Sequence, residues 1–486
     1  MNTNGGMFVT LYRSGLKKLI RLPRVLLLAF VLLGVAACGT LSVEVEPQAG
    51  DSFPQPTTVI VEVTDEAATE TPGVTETPAA PPAEPTTEAT AAAAAPEPTE
   101  VERESENPRP AAPQAVAFVK DSDVWFWKAG TAARALTSVG GVSSVTLSPD
   151  ASRVVFEHEG ELWVVSSAGG DERPLVPAST FENIPLEEFV VGLAPYQIGW
   201  IPGTSRILFN TMGQLEGPGL YLSDDLWLAD AETGEVRLLL GGGEGGNFTI
   251  APDGEEIALV DRDGNVDVAD IDGSNRREIF DYPRVLTFSE YAFYAEPVWA
   301  ADGTLWVALP SYDGMAVSAE PAAIWQLFTG GEPARLVGRL PEADPMPYAT
   351  PAIAPGANHV AYFVAQGDGG FELMVAPLGA EIGAAQMLAE GVQPEVVWAP
   401  DGNHLVASEV GDSVSRFIAA LTGNRFPIGD GQGAVAEVQW LGPDSFVYAE
   451  AQEDGWELLV ASIGGVGEPF AAFDGRFPTF DAPDSR

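Results

Sequence analysis

From Ala115 onward the chain alternates short apolar runs with polar turns. Arg153-Val154-Val155-Phe156 leads through a polar hairpin into Leu162-Trp163-Val164-Val165. Runs of about 4 to 8 β-branched and aromatic residues, bounded by Gly, Asp and Pro, predict buried strands. The pattern returns over residues 152–175, 205–240, 255–279, 304–337, 357–388, 403–428 and 444–470. Each segment follows a strand-to-turn signal, clearest in Ser148-Pro149-Asp150, Ala251-Pro252-Asp253-Gly254 and Ala399-Pro400-Asp401-Gly402. Looser copies are Ile201-Pro202-Gly203, Ala300-Ala301-Asp302-Gly303, Ala354-Pro355-Gly356, Gly442-Pro443-Asp444 and Ala482-Pro483-Asp484. A large apolar residue stands two positions before the proline site: Leu147, Trp200, Ile250, Trp299, Ile353 and Trp398. In the last two copies, Trp440 and Phe480 stand three positions before it. Proline presets the first corner of a tight turn, and Asp-Gly supplies its polar, left-handed end. A signal that returns every 40 to 55 residues, roughly, marks an array of like units.

The two ends of the array complement each other. Residues 115–137 hold only the later strands of a unit, Val116-Ala117-Phe118-Val119 and Val124-Trp125-Phe126-Trp127, with no turn signal in front. Residues 477–484 are the reverse, a first strand and its turn with nothing behind. Joined, they complete one more unit and close a ring without exposed sheet edges. The expected fold is therefore all-β: a β-propeller of eight four-stranded blades over residues 114–486, closed by its C-terminal strand. The count falls to seven if one weak copy is only a loop.

The Pro-Asp-Gly turn, the Leu-Trp-Val type of strand behind it and the following Gly-Gly turn resemble the TolB-type, WD40-like β-propeller repeat. The same repeat builds the propellers of prolyl-oligopeptidase relatives. The resemblance covers nearly all of residues 114–486 and implies the fold, with little said of function. No Gly-x-Ser-x-Gly elbow or hydrolase segment follows, unlike in those peptidases.

The first 37 residues read as a targeting segment. Arg13, Lys17, Lys18, Arg21 and Arg24 form a basic start, and residues 25–37 form an apolar stretch too short to span a bilayer. Val35-Ala36-Ala37-Cys38 resembles a bacterial lipoprotein signal, which makes Cys38 the lipidated first residue of the mature chain. Cys38 is the only cysteine, so no disulfide framework exists and the anchor is its expected use. Residues 38–113 carry thirteen prolines and fifteen acidic residues against two basic ones, a composition that stiffens a linker and buries no core. The expected location is the bacterial cell envelope, outside the cytoplasm, on a lipid anchor.

Charge narrows the partners. The whole chain carries a formal net charge of −46. Such a field repels nucleic acid and anionic lipid surfaces, and keeps a monomer soluble. Catalytic chemistry is sparse. His158, His359 and His404 are the only histidines, and the last two occupy repeat positions. No catalytic residue, metal or cofactor is assigned. Asp261-Arg262-Asp263-Gly264-Asn265-Val266-Asp267 alternates oxygen ligands as calcium loops do, but its glycine is misplaced, and Asp263-Gly264 reads better as a hairpin turn.

The best functional lead is a set of long insertions, residues 177–197, 281–296, 310–322 and 338–348. Connections between blades gather at one mouth of a propeller. The candidate binding residues there are Phe189, Tyr196, Glu290, Tyr291, Phe293, Tyr294, Glu296 and Tyr348. Alternation predicts that Tyr291 and Phe293 share one face while Tyr294 points the other way. Aromatic planes beside carboxylates suit an envelope protein, a peptide or a glycan. The alternatives are a hydrolase or lyase using channel carboxylates, and a structural envelope scaffold.

Overall fold

The computed structural model describes residues 114–483, apart from 218, 290, 368, 412–414 and 432. The expected signal segment, Cys38 and the linker lie outside the described residues, as does Glu290. The regular elements among the described residues are all strands, save three short 3-10 turns at Ala178–Phe181, Pro347–Ala349 and Pro355–Ala357.

The chain lays down antiparallel sheets one after another. A representative one runs Val142–Leu147, Arg153–His158, Glu161–Ser166 and Arg173–Val176, each strand paired to the next. Its strands form where Val154, Val155, Val164 and Val165 favour pleated, buried backbone. The Glu159-Gly160 hairpin has φ of 52° and 85°, the left-handed pair that matches strand twist in a two-residue turn. Among the described residues there are seven antiparallel sheets, five of four strands, one of five and one of seven. In one of them, seven-stranded, the long strand Gln386–Trp398 pairs with Phe371–Pro377 through its first half and with His404–Glu409 through its second.

Closure occurs where the termini predicted it. Thr479–Asp481 pairs with Ala115–Lys120, setting Asp481 opposite Ala117 and Phe480 opposite Phe118. The sheet that results takes its innermost strand from one end of the described chain and three strands from the other. The core lies between sheets. Val155 and Val164 of one sheet pack with Phe209 and Trp227 of the next. Val266 packs with Leu305 and Val307, and Val116 and Phe118 with Val447 and Leu458 across the closing seam. This is a β-propeller.

The recurrent turn has a mechanical explanation. The aspartate after the proline site accepts a hydrogen bond from the amide two residues on: Ser152 to Asp150 at 3.0 Å, Glu255 to Asp253 at 2.9 Å, Thr304 to Asp302 at 3.0 Å, and Asn403 to Asp401 at 2.9 Å. Ala301, which replaces proline, leaves this bond intact. Where Pro202-Gly203 lacks the acid, Thr204 Oγ1 accepts the Arg206 amide at 3.1 Å instead.

Three of the four tryptophans before the turns tie their innermost strand to its predecessor. Trp299 Nε1 donates to the Thr249 carbonyl at 3.3 Å, Trp398 Nε1 to Ala352 at 3.1 Å, and Trp440 Nε1 to Val397 at 3.3 Å. Gln439 makes the next link, donating to the Phe480 carbonyl and accepting the Ala482 amide, both at 2.9 Å. Asp481 then accepts the Leu147 amide at 2.6 Å. Trp200 breaks the pattern: it is buried, and its Nε1 has no acceptor among the described residues. Trp→Phe removes similar ring area at each site but costs a hydrogen bond only where one exists, about 1 kcal/mol net. Urea unfolding should therefore show Trp398→Phe and Trp440→Phe losing roughly that much more stability than Trp200→Phe. Equal losses at all three would show that packing alone sets their role.

Candidate ligand-binding face

An antiparallel meander puts successive connections at alternate ends of each sheet. Turns of the Pro-Asp type join first to second strands and occupy one end. Hairpins between second and third strands, and crossings to the next sheet, occupy the other. All four insertions are of this second kind, so they share a face. Backbone bonds lace three of them together. The Leu286 amide donates to the Tyr312 carbonyl at 2.9 Å, and the Ser311 amide to Pro345 at 3.2 Å. Asp344 donates its amide to the Phe363 carbonyl at 2.7 Å, fixing the last insertion to its own sheet.

A polar constellation on this face centres on Asp224. Its backbone is left-handed, with φ of 48°, and its carboxylate is buried. It accepts Arg262 Nε at 2.6 Å on one oxygen and the Tyr294 hydroxyl at 2.9 Å on the other. Arg262 also donates to the Leu222 carbonyl and lies 4.9 Å over the Tyr221 ring. Phe189 meets Tyr221 edge-on at 5.3 Å, and more than half of it faces solvent. Burial pushes the Asp224 carboxyl above its ordinary range, against the pull of Arg262 and Tyr294. Burial, and then Asp224, raise the Tyr294 hydroxyl, which stays protonated and donates. Neighbouring Asp225 accepts the Thr211 amide at 2.7 Å, the Thr211 hydroxyl at 2.8 Å and Trp227 Nε1 at 2.8 Å. A side chain at Gly245 would sit 2.5 Å from the Asp225 carbonyl, so only glycine passes there.

The structure redistributes the predicted site residues. Tyr196 is not on a loop: the strand Val190–Trp200 extends through it, and it is half-buried with its hydroxyl raised by that burial. The stretch carrying Tyr291, Phe293 and Tyr294 is not a strand, so the expected alternation does not hold. Phe293 and Tyr294 both pack on the core cluster around Tyr282, with Phe293 edge-on to Tyr282 at 6.3 Å. Tyr291 is half-buried, its carbonyl accepting the Thr287 hydroxyl at 2.5 Å. Glu296 is exposed, as is Tyr348, which leans edge-on against Phe371 at 6.5 Å. Asp224 and Tyr221 had no sequence signal, and Arg262 was read only as part of the acidic hairpin, because the three meet only through folding.

The acidic hairpin is committed to itself. Asp261 accepts the amides of Asp263, Gly264 and Asn265 at 2.9 to 3.0 Å, and Asp267 is paired with Arg276. Among the described residues no group of three or more His, Cys, Asp or Glu could hold a metal. His158 Nδ1 lies 2.9 Å from the Gly140 carbonyl and His404 Nδ1 2.9 Å from Asp401.

A second feature lies on the innermost strands. Glu437 sits three residues before Trp440, and Glu395 three before Trp398, at equivalent places in adjacent repeats. Burial pushes the Glu437 carboxyl up to about 6, with Glu395 adding repulsion, while Gln439, whose Nε2 donates to it at 2.6 Å, and Arg416 pull it down.

No family model matches the chain, and no curated protein matches it. Among solved structures it is similar to an oligogalacturonate lyase in complex with manganese, at 14% identity and a TM-score of 0.42, over 62% of this chain and 82% of that one. It is similar to a prolyl endopeptidase at 13% identity and a TM-score of 0.46, over 71% of this chain and only 50% of that one. A third likeness is to the β-propeller domain of the Trilobed protease from Pyrococcus furiosus, at 12% identity and a TM-score of 0.38, over 59% and 84% of the two chains. At these scores the likenesses carry no argument, and the propeller rests on the sheets and their closure.

Glu437 makes a pH prediction. An acid whose folded pKa is raised binds its proton more tightly when folded. Its contribution to stability is therefore present below the ordinary carboxylate range and is lost as pH rises toward about 6. A shift of this size corresponds to up to about 2 kcal/mol, less whatever water along the axis screens. Glu437→Gln should be more stable than wild type at pH 7, and the two should converge near pH 4. Parallel stability profiles across that range would refute the assignment.

Proposed function

We propose that this chain is a lipid-anchored, extracytoplasmic binding protein whose propeller head has eight blades of the TolB type. The seven-stranded sheet supplies two of those blades, divided at the strand Gln386–Trp398. The head recognises a ligand through the insertion face. The observation that carries this reading is the distribution of exposed apolar side chains. Phe189, Leu286, Phe288, Tyr312, Met315 and Tyr348 all lie on loops of that face. On the loops of the opposite face, Val466 is the one such residue among those described. Scattered exposed apolar residues are ordinary, but a one-sided collection marks an interaction surface. Asp224, Arg262 and Tyr221 would give its rim a fixed polar edge. No nucleic acid is expected, since the chain carries 70 acidic against 24 basic residues.

One observation favours a second reading. Burial pushes the Glu437 carboxyl up to about 6, with Glu395 at the equivalent place in the adjacent repeat adding repulsion, the pattern of a carboxylate poised to give a proton. Hydrolysis or elimination at the axis would use that pair, and Glu437→Gln would abolish turnover while leaving binding at the loop face intact.

Two experiments test the main reading. Cys38→Ser should shift the protein from the detergent phase to the aqueous phase, because acyl chains on that sulfur supply the membrane affinity. Partitioning that does not change would remove the anchor. For the face, a photoreactive phenylalanine analogue replaces Phe288, Tyr312 or, as a control, Val466 in producing cells. Crosslinked species should form from the first two positions and not the third. Equal crosslinking from both faces, or none at all, would overturn a dedicated binding face.

A further inference from the structure

Resting on that binding-face reading, we infer that the occupant is a basic, amphipathic polypeptide segment, docked across three laced insertions. Between their flanking strands these loops run over residues 282–297, 310–321 and 341–351, with Asp281 and Arg339 on the strands themselves. The Leu286–Tyr312 and Ser311–Pro345 backbone bonds hold them side by side, so their exposed side chains form one surface. Gly314 lies tight against Met346 and the Pro345 carbonyl, which leaves no gap between the second loop and the third.

Three observations select the occupant. The first is apolar exposure: Phe288 is 52% exposed, Met315 68% and Val317 completely, with Leu286 and Tyr312 beside them. Uncovered side chains of this kind gain free energy when an apolar partner replaces water. The second is shape chemistry. Beside the rings of Phe288 and Tyr312 stand Leu286, Met315 and Val317, which offer a sugar no plane to stack on, and flexible methionine fits the uneven side chains of a polypeptide. The third is charge. The three insertions contain six carboxylates, Glu290, Glu296, Asp313, Glu320, Glu342 and Asp344, against one cation, Arg284. Glu320 and Glu342 are exposed, and Glu320 shares only a surface pair with Arg339, its side chain 74% exposed.

Charge complementarity then excludes the other occupants. A second copy of this chain would set one acidic surface against another, at a formal charge of −46 each. An anionic lipid surface meets the same repulsion. A segment with apolar residues on one side and Lys or Arg on its margins satisfies both features. The apolar side chains supply the holding energy, and the carboxylates set association rate and selectivity.

The test uses the full chain and three labelled peptides: one alternating leucine with lysine, one leucine with glutamate, and one serine with lysine. Anisotropy titrations should show binding of the leucine–lysine peptide alone. Its affinity should fall at least about tenfold in the Met315→Ser, Val317→Ser double variant, since these are the two most exposed apolar side chains of the patch. The control Val466→Ser should bind as wild type does. Raising salt should weaken binding, because the flanking charges are screened. Equal binding of the serine–lysine peptide would overturn the inference by reducing it to charge attraction. Wild-type affinity in the double variant would place the peptide elsewhere and overturn it too. Binding to phosphatidylcholine vesicles that depends on Met315 and Val317, or self-association that depends on them in sedimentation, would replace the polypeptide with a membrane or a second copy. Failure of all three peptides while crosslinks still form from Phe288 and Tyr312 would reject this occupant and leave the binding face standing.

Discussion

The constraint on which the rest depends is the joining of the innermost strands into a closed ring. Each sheet alone would expose two apolar faces and two edges, and no single sheet holds a core of its own. Burial comes only when one sheet is pressed against the next, as Val155 and Val164 are against Phe209 and Trp227. Hydrophobic contact is non-directional, so it can press sheets together without setting how far each turns about the axis. The directional bonds do that. Indole donors at Trp299, Trp398 and Trp440 reach one carbonyl each on the preceding innermost strand. Gln439 and Asp481 carry the same linkage across the closing sheet.

A ring closed in this way divides the connections into two classes with different freedom. The Pro-Asp turns sit beside the indole bonds and hold their aspartate-to-amide contacts, so they stay short. The connections at the other end form aspartate-to-amide bonds too, as Asp313 and Asp344 do with the amides two residues on, but no indole link of the ring ends beside them, so they can lengthen without disturbing it. Every insertion in this chain is found there. The proposed binding face lies at that end, away from the indole links that close the ring. Asp224 shows the consequence. Arg262 comes from the next sheet and Tyr294 from the crossing after it, and both meet one carboxylate because the ring places their loops in sequence.

The sequence made the fold legible because its signals are local. The turn, its acid, the tryptophan before it and the incomplete terminal units all lie within a few residues of what they determine. The site was less legible, because its contacts are not local. Asp224 and Arg262 are 38 residues apart, and Asp224 and Tyr294 are 70 apart. Nothing in either neighbourhood marks them as partners. Tyr196 was misplaced because the strand around it carries a register shift between Pro195 and Ile198, and so outruns its apolar pattern. Phe293 and Tyr294 were assigned by alternation, which holds for strands, in a stretch that is irregular and packs inward at both positions. Glu395 and Glu437 could have been found: each stands three residues before a latch tryptophan, and repeat position is a legible signal.

Acidity and apolar exposure look contradictory on one surface, yet each makes the other workable. An apolar patch left uncovered on a neutral protein finds its own copy and aggregates. On this chain two copies approaching face to face bring together carboxylates such as Glu320 and Glu342, which are exposed beside the patch. Repulsion of that kind costs little to a partner that brings compensating cations, because pairing then replaces it with attraction. With the proposed basic partner, the carboxylates would act twice on one surface: they keep copies of the chain apart, and they would raise that partner's encounter rate. Specificity of this sort is a difference between two affinities, and the unfavourable one is as much a part of it as the favourable.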